Sequence, residues 1–146
     1  MAENYKTSDH QSVIPYLVVG DLEQELEFVK EVFDAQELFV ARDPEGCIGH
    51  ARVKIGDSVL MMHQAHEKFP ALPAPVYVYL PDVDAVYQRA LEAGATGLGK
   101  PEDQFYGDRT GAIRDPGGIH WWIATLMENL SADELLRRQA AAFVYA

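Results

Sequence analysis

GDRTGAIRDPGGIHWWIATL, residues 107–126, holds a strand, a reversal and a second strand. Asp115-Pro116-Gly117-Gly118 is written in turn residues: Pro fixes φ, the glycines accept φ > 0, and the Asp carboxylate closes an Asx-type hydrogen bond. The chain must double back there. Side chains alternate along the strand that follows, so Ile119, Trp121 and Ile123 share one face and His120, Trp122 and Ala124 the other. The first set reads as core. The second is amphipathic enough to line a cavity.

Working outward, Ser58 to His63 pairs with Gly49 to Ile55 through the two-residue loop Gly56-Asp57, which fixes the register. Ile55 then meets Ser58, Val53 meets Leu60 and Ala51 meets Met62 on an apolar face. Lys54 meets Val59, Arg52 meets Met61 and His50 meets His63 on the other. Glu37 to Arg42 is a further strand, and so is Val13 to Val19, with Pro15 near its start. Between them, Asp21 caps a helix, with Gln24 as capping-box partner and Leu22, Leu26, Val29 and Phe33 as its buried stripe.

Residues 66–75 are rich in Pro and Ala and read as a linker. Beyond them come a strand at Val76 to Leu80, a helix capped by Asp82 and ended by Gly94, and an irregular stretch from Thr96 to Tyr106 with a short strand in it. Ser131 and Glu134 form a capping box for a C-terminal helix within residues 127–146. Residues 1–12 are polar and aperiodic and read as a loose arm.

The 146 residues suit one domain. With 12 Lys plus Arg against 23 Asp plus Glu, the net charge of −11 repels nucleic acid and anionic lipid and favours cationic ligands. Its plainer role is to keep the surface soluble. The single cysteine, Cys47, excludes an intrachain disulfide framework and a multi-cysteine zinc site. No apolar run reaches the ~18 residues of a membrane span and no charged-then-apolar start marks a signal peptide, so a cytoplasmic location is expected.

A shift of 61 positions overlays the two halves. Val18-Val19-Gly20-Asp21-Leu22 falls on Tyr79-Leu80-Pro81-Asp82-Val83, Tyr16 on Tyr77 and Met61 on Trp122. Each half reads strand, helix, strand, strand, strand. The expected class is therefore α+β: two βαβββ modules in tandem, 13–65 and 76–126, forming a cupped, mostly antiparallel sheet, plus the C-terminal helix.

A duplicated βαβββ unit, strands ending before D-[LV], and the G-x-x-x-D-P-x-G-x-x-W hairpin from Gly111 to Trp121 resemble the vicinal oxygen chelate superfamily. That group includes glyoxalase I, extradiol dioxygenases, fosfomycin-resistance enzymes and bleomycin-resistance proteins. The likeness is nearest to its PhnB-like branch and implies a homodimer. Metal-dependent members carry ligands on the first and last strand of each half. Carried over through the helix caps and the turns, those positions hold Ile14, Met61, Pro75 and Trp122. None is a ligand for a hard divalent cation.

Strand parity places Tyr16, Met61, Tyr77, Tyr79 and Trp122 on the face that would hold the metal, with His50, Arg52, His63 and His120 as polar members. Tyr106 and Arg109 stand at the mouth of the final hairpin, where an arginine can clamp an anion or can bridge loop and strand. These residues form the candidate ligand-binding set, unless the aromatics simply fill the groove. The expected function is binding of an organic, preferably cationic, small molecule without a metal cofactor. The alternative is a lyase, isomerase or dioxygenase whose one divalent ion sits on His50, His63 and His120. No nucleophile elbow, P-loop, dinucleotide fingerprint or CxxC supports any other chemistry.

Overall fold

A computed structural model describes residues 4–142; the ends of the expected N-terminal arm and C-terminal extension lie outside that range. The first module runs β1 (Tyr16–Val19), α1 (Leu22–Phe33), β2 (Gln36–Arg42), β3 (Ile48–Ile55) and β4 (Ser58–Gln64). The second repeats the order with β5 (Pro75–Tyr79), α2 (Val83–Glu92), β6 (Thr96–Asp103), β7 (Asp108–Arg114) and β8 (His120–Leu126). Helix α3 (Ala132–Ala142) follows. The sheets are ordered β1-β4-β3-β2 and β5-β8-β7-β6, each with one parallel pair beside two antiparallel ones.

The internal repeat holds residue by residue in the two parallel ladders and slips by one position in β7, where Gly111 meets Ile123. Tyr16 pairs with Met61 in the first parallel ladder and Tyr77 with Trp122 in the second, both members of the pair displaced by the same 61 positions. The helix starts are tied alike: Leu22 N–H donates to Gln64 Oε1 at 3.0 Å, and Val83 N–H to Thr125 Oγ1 at 2.9 Å. Each tie satisfies a donor at the helix start that has no partner within the helix. Asp21 and Asp82 cap as expected, accepting from Gln24 N–H and Ala85 N–H.

The β3–β4 register is the one the Gly56-Asp57 loop dictates, from Ile55 opposite Ser58 to His50 opposite His63. Strand β1 is shorter than its apolar run, because Pro15 stands outside it and only lends its carbonyl to Met61 N–H. Strand β6 is longer than expected. Gly97, Gly99 and Pro101 disguise it in the sequence, and its ladder shifts register at Gly97/Gly99 and again before Glu102.

Both modules press their helix-bearing sides into one shared core. Leu17, Val19, Leu26, Val29 and Phe33 of the first meet Val83, Val86, Ile119, Trp121 and Ile123 of the second. Phe33 and Trp121 rings lie 4.4 Å apart between centroids, and Arg89 donates to the Val32 carbonyl at 2.7 Å. Burying a Trp or Phe side chain is worth roughly 2–3 kcal/mol. The modules are therefore welded through this seam.

Inside the seam lies a pair of carboxyl groups. Asp115 of the DPGG turn accepts from Ile119 N–H at 2.9 Å and from the Trp121 indole N–H at 2.8 Å. Glu25, on the buried side of α1, faces it, and neither Glu25 oxygen meets a donor among the described residues. Burial pushes the Glu25 carboxyl up to about 10, and the adjoining Asp115 carboxyl adds to the shift. It is held as the neutral acid.

Candidate functional site: two aromatic sheet faces

Since the core takes the helix side of each sheet, the opposite sides both look away from it. On the first sheet, here face A, Phe39, Arg52, Met61 and Tyr16 form one cross-strand row, and Ala41, His50, His63 and Val18 the next. Face B, on the second sheet, carries Gly99, Ala112, Trp122 and Tyr77 in one row and Glu102, Thr110, Ala124 and Tyr79 in the other. Tyr16, Phe39, Tyr77, Tyr79 and Trp122 are between 40% and 59% exposed.

Face B has a polar anchor. The Tyr77 and Tyr79 hydroxyls both donate to Asp108 Oδ2, at 2.5 and 2.8 Å, and Asp108 is only 4% exposed. Burial and then the Asp108 bond raise the Tyr77 hydroxyl well above the usual phenol range, with Tyr106 adding to it. For Tyr79 the Asp108 bond comes first. Both remain donors at any ordinary pH. In the sequence Asp108 is simply the neighbour of Arg109 at the mouth of the final hairpin. The parity of β7, once its register to β8 is known, assigns it to face B with Thr110 and Ala112.

Arg109 belongs elsewhere. Its guanidinium grips both Asp84 oxygens at 2.8 and 2.9 Å and Asp103 at 3.2 Å, tying β7 to α2 and β6. Those bonds raise its pKa further and depress that of Asp84. Tyr106 stacks edge-on to Phe105 and interacts with Tyr77 at the rim of face B.

On face A, His50 and His63 stand 6.0 Å apart between ring centroids, and both lie near the Tyr16 ring, 6.2 and 6.1 Å away. His66, which sequence reading left in the linker, adds an edge-on ring 5.8 Å from His63, and Phe69 stacks edge-on against it. His120 is not part of this cluster; it lies beside Trp122 on the other sheet, 6.3 Å between centroids. The three-histidine grouping is thus not assembled within the chain. Among the described residues no three His, Cys, Asp or Glu side chains stand close enough to hold a metal ion. Two of the positions that the resemblance implied for ligands hold a thioether at Met61 and an indole at Trp122, a donor set that does not fit a hard divalent ion.

A cleft of about 410 Å3 opens between the β3–β4 turn and strand β5, with Tyr77 and Tyr79 on one wall, Ile55, Val59 and Leu60 on the other, and Trp121 reached at its side. Gln11 closes one end by donating to and accepting from the backbone of Val59, at 2.7 and 3.2 Å. The volume falls in the range of small-molecule sites.

The family model described as the Glyoxalase/Bleomycin resistance protein/Dioxygenase superfamily matches residues 9–123. The chain belongs to that superfamily. Superfamily relatives from Mycobacterium bovis and Mycobacterium tuberculosis, both described as uncharacterized proteins, are 33% identical over 132 residues. The match spans 83% of this chain and 87% and 78% of theirs. Among solved structures, TioX from Micromonospora sp. ML1 is similar with a TM-score of 0.69 at 23% identity, covering 80% of this chain and 99% of that one. The fosfomycin resistance protein FosX from Mesorhizobium loti gives 0.60 at 19% identity, covering 86% and 97%. A PhnB protein from Bacillus cereus gives 0.61 at 17%, covering 79% and 99%. At these identities the structural likenesses speak for the fold alone. No helix among the described residues is long and apolar enough to cross a membrane.

Proposed function

We propose that this superfamily member is a metal-independent, cytoplasmic binding protein for a flat organic molecule, akin to the bleomycin-resistance and PhnB-like branches, and that it works as a homodimer. The observation that carries the reading is face B: Tyr77, Tyr79 and Trp122 offer open ring surface around the buried Asp108 carboxylate. Rings over a carboxylate, in a chain of net charge −11, favour an aromatic cation through stacking, cation–π attraction and charge. The outward orientation of the faces supports the dimer. A second copy laying its face A opposite face B of the first turns two open surfaces into two walled grooves, and removes exposed aromatic area from water.

The test is a titration of EDTA-treated protein with 9-aminoacridine, followed by tryptophan fluorescence. Saturable quenching in the micromolar range, lost in Trp122→Phe, is expected. Stoichiometric zinc, iron, nickel or manganese in the purified protein that disappears in His63→Ala would overturn the reading in favour of a metal-dependent enzyme.

A further inference from the structure

Five of the seven arginines are fastened to the scaffold. Arg42 pairs with Glu23, Arg109 with Asp84 and Asp103, Arg137 with Glu134, and Arg138 with Glu128 and Glu134, while Arg89 caps the Val32 carbonyl. Arg52 differs. It is half-buried in the middle of face A, and no carboxylate pairs with it among the described residues. Arg114 also lacks a carboxylate partner but is exposed, so among the described arginines Arg52 is the half-buried one with neither an ion pair nor a backbone carbonyl.

Arg52 is nonetheless held in place. Its Nε donates to His50 Nε2 at 3.3 Å, and its Cζ lies 5.5 Å from the Phe39 ring centre. Acceptance at Nε2 puts the His50 proton on Nδ1. Burial, then the neighbouring charges of Arg52 and His63, lower the His50 pKa, so the imidazole stays a neutral acceptor. With Nε engaged and the plane fixed beside a ring, the two Nη groups are the part of the guanidinium left to donate. Across the sheet in the same row lie Met61 and Tyr16, an apolar platform for the rest of a ligand.

We propose that Arg52 is the anchor for the carboxylate of an aromatic organic acid bound on face A. Two parallel N–H donors match a planar two-oxygen acceptor. A multiply charged anion is disfavoured by the net charge of −11. The inference rests on the reading that these faces bind organic ligands and adds the functional group: the ligand carries an acid for face A beside the basic group suited to face B.

Isothermal titration of the full chain with 2-naphthoate and with 2-naphthamide separates the two ideas, because the probes share a shape and differ in charge. The expected result is naphthoate binding about tenfold more tightly than naphthamide. Arg52→Met should erase that preference by weakening naphthoate far more than naphthamide, and Arg52→Lys should keep part of it. Equal affinities in the native protein, as when an acid from a second copy already occupies Arg52, overturn the inference. So does a preference that survives in Arg52→Met. If naphthamide binds and the acid gains nothing, or if neither probe binds, the anchor is wrong, while the ligand-binding reading is judged separately by the 9-aminoacridine titration.

Discussion

Replacing Glu25 by Gln should make the protein more stable, by an amount that grows with pH. In the folded state the Glu25 carboxyl is pushed up to about 10 from an ordinary 4.5, because it is 2% exposed and faces Asp115. The folded protein thus keeps a proton that the unfolded chain releases above about pH 4.5. Stability from this group is fully present below that value and is lost as pH rises toward 10. One pKa unit corresponds to about 1.4 kcal/mol, so by pH 7 the burial costs about 3 kcal/mol relative to acid conditions. Gln is isosteric, titrates nowhere and can donate an amide N–H to Asp115. Urea unfolding of both proteins at about pH 6 and about pH 8, followed by tryptophan fluorescence, should show the gap between them widening by about 3 kcal/mol. A gap that stays constant over that interval would refute the claim that Glu25 is buried as the neutral acid.

Tyr77→Phe and Tyr79→Phe each remove one of two donors to the buried Asp108 and should cost about 1–2 kcal/mol in chemical denaturation. The double variant should lose more than the sum, since one remaining donor still satisfies the carboxylate. Arg109→Ala should leave 9-aminoacridine and 2-naphthoate affinities unchanged in calorimetry, because its bonds run to Asp84 and Asp103 on the helix side. Gly107→Ala should destabilise by about 2 kcal/mol in thermal or urea unfolding. Gly107 sits at φ 102, its added Cβ would strike the Glu128 carbonyl, and its own carbonyl accepts from Met127 and Glu128 N–H.

Much of the fold was legible because its signals are local. A two-residue loop leaves only one register for β3 and β4, and capping aspartates mark where α1 and α2 begin. The constant offset then carries one module onto the other. Strand β6 escaped because glycines and a proline hide alternation, and the bulges that tolerate them appear only once β7 is alongside. Glu25 escaped for a different reason. It lies three residues after Leu22 and four before Val29, on the buried stripe by helical geometry, but a carboxylate there is unfavourable unless it is protonated. Nothing in the sequence shows that Asp115 will be the group it meets.

For the site, strand parity put Tyr16, Met61, Tyr77, Tyr79 and Trp122 on one face with His50, Arg52, His63 and His120. The ladders divide them between two sheets, Tyr16, Met61, His50, His63 and Arg52 on the first and Tyr77, Tyr79, His120 and Trp122 on the second. Parity could not tell whether those two sets face each other. That depends on which sides the shared core claims, a matter of packing between Phe33 and Trp121 across the modules. His120 parted from His50 and His63 for the same reason. Asp108 stayed out of the candidate set because the sequence does not show that the Tyr77 and Tyr79 hydroxyls converge on it, and Phe39 because β2 shifts register against β3.

The account stands on the aromatic sheet faces being the surface that takes up organic ligands. Chemical-shift mapping of the isotope-labelled protein during a 9-aminoacridine titration addresses this most directly. Shifts concentrated at Tyr77, Tyr79, Asp108 and Trp122, with saturation in the absence of metal, are predicted. Saturable binding whose shifts fall on the helices, or no binding until a divalent metal is added, would contradict it.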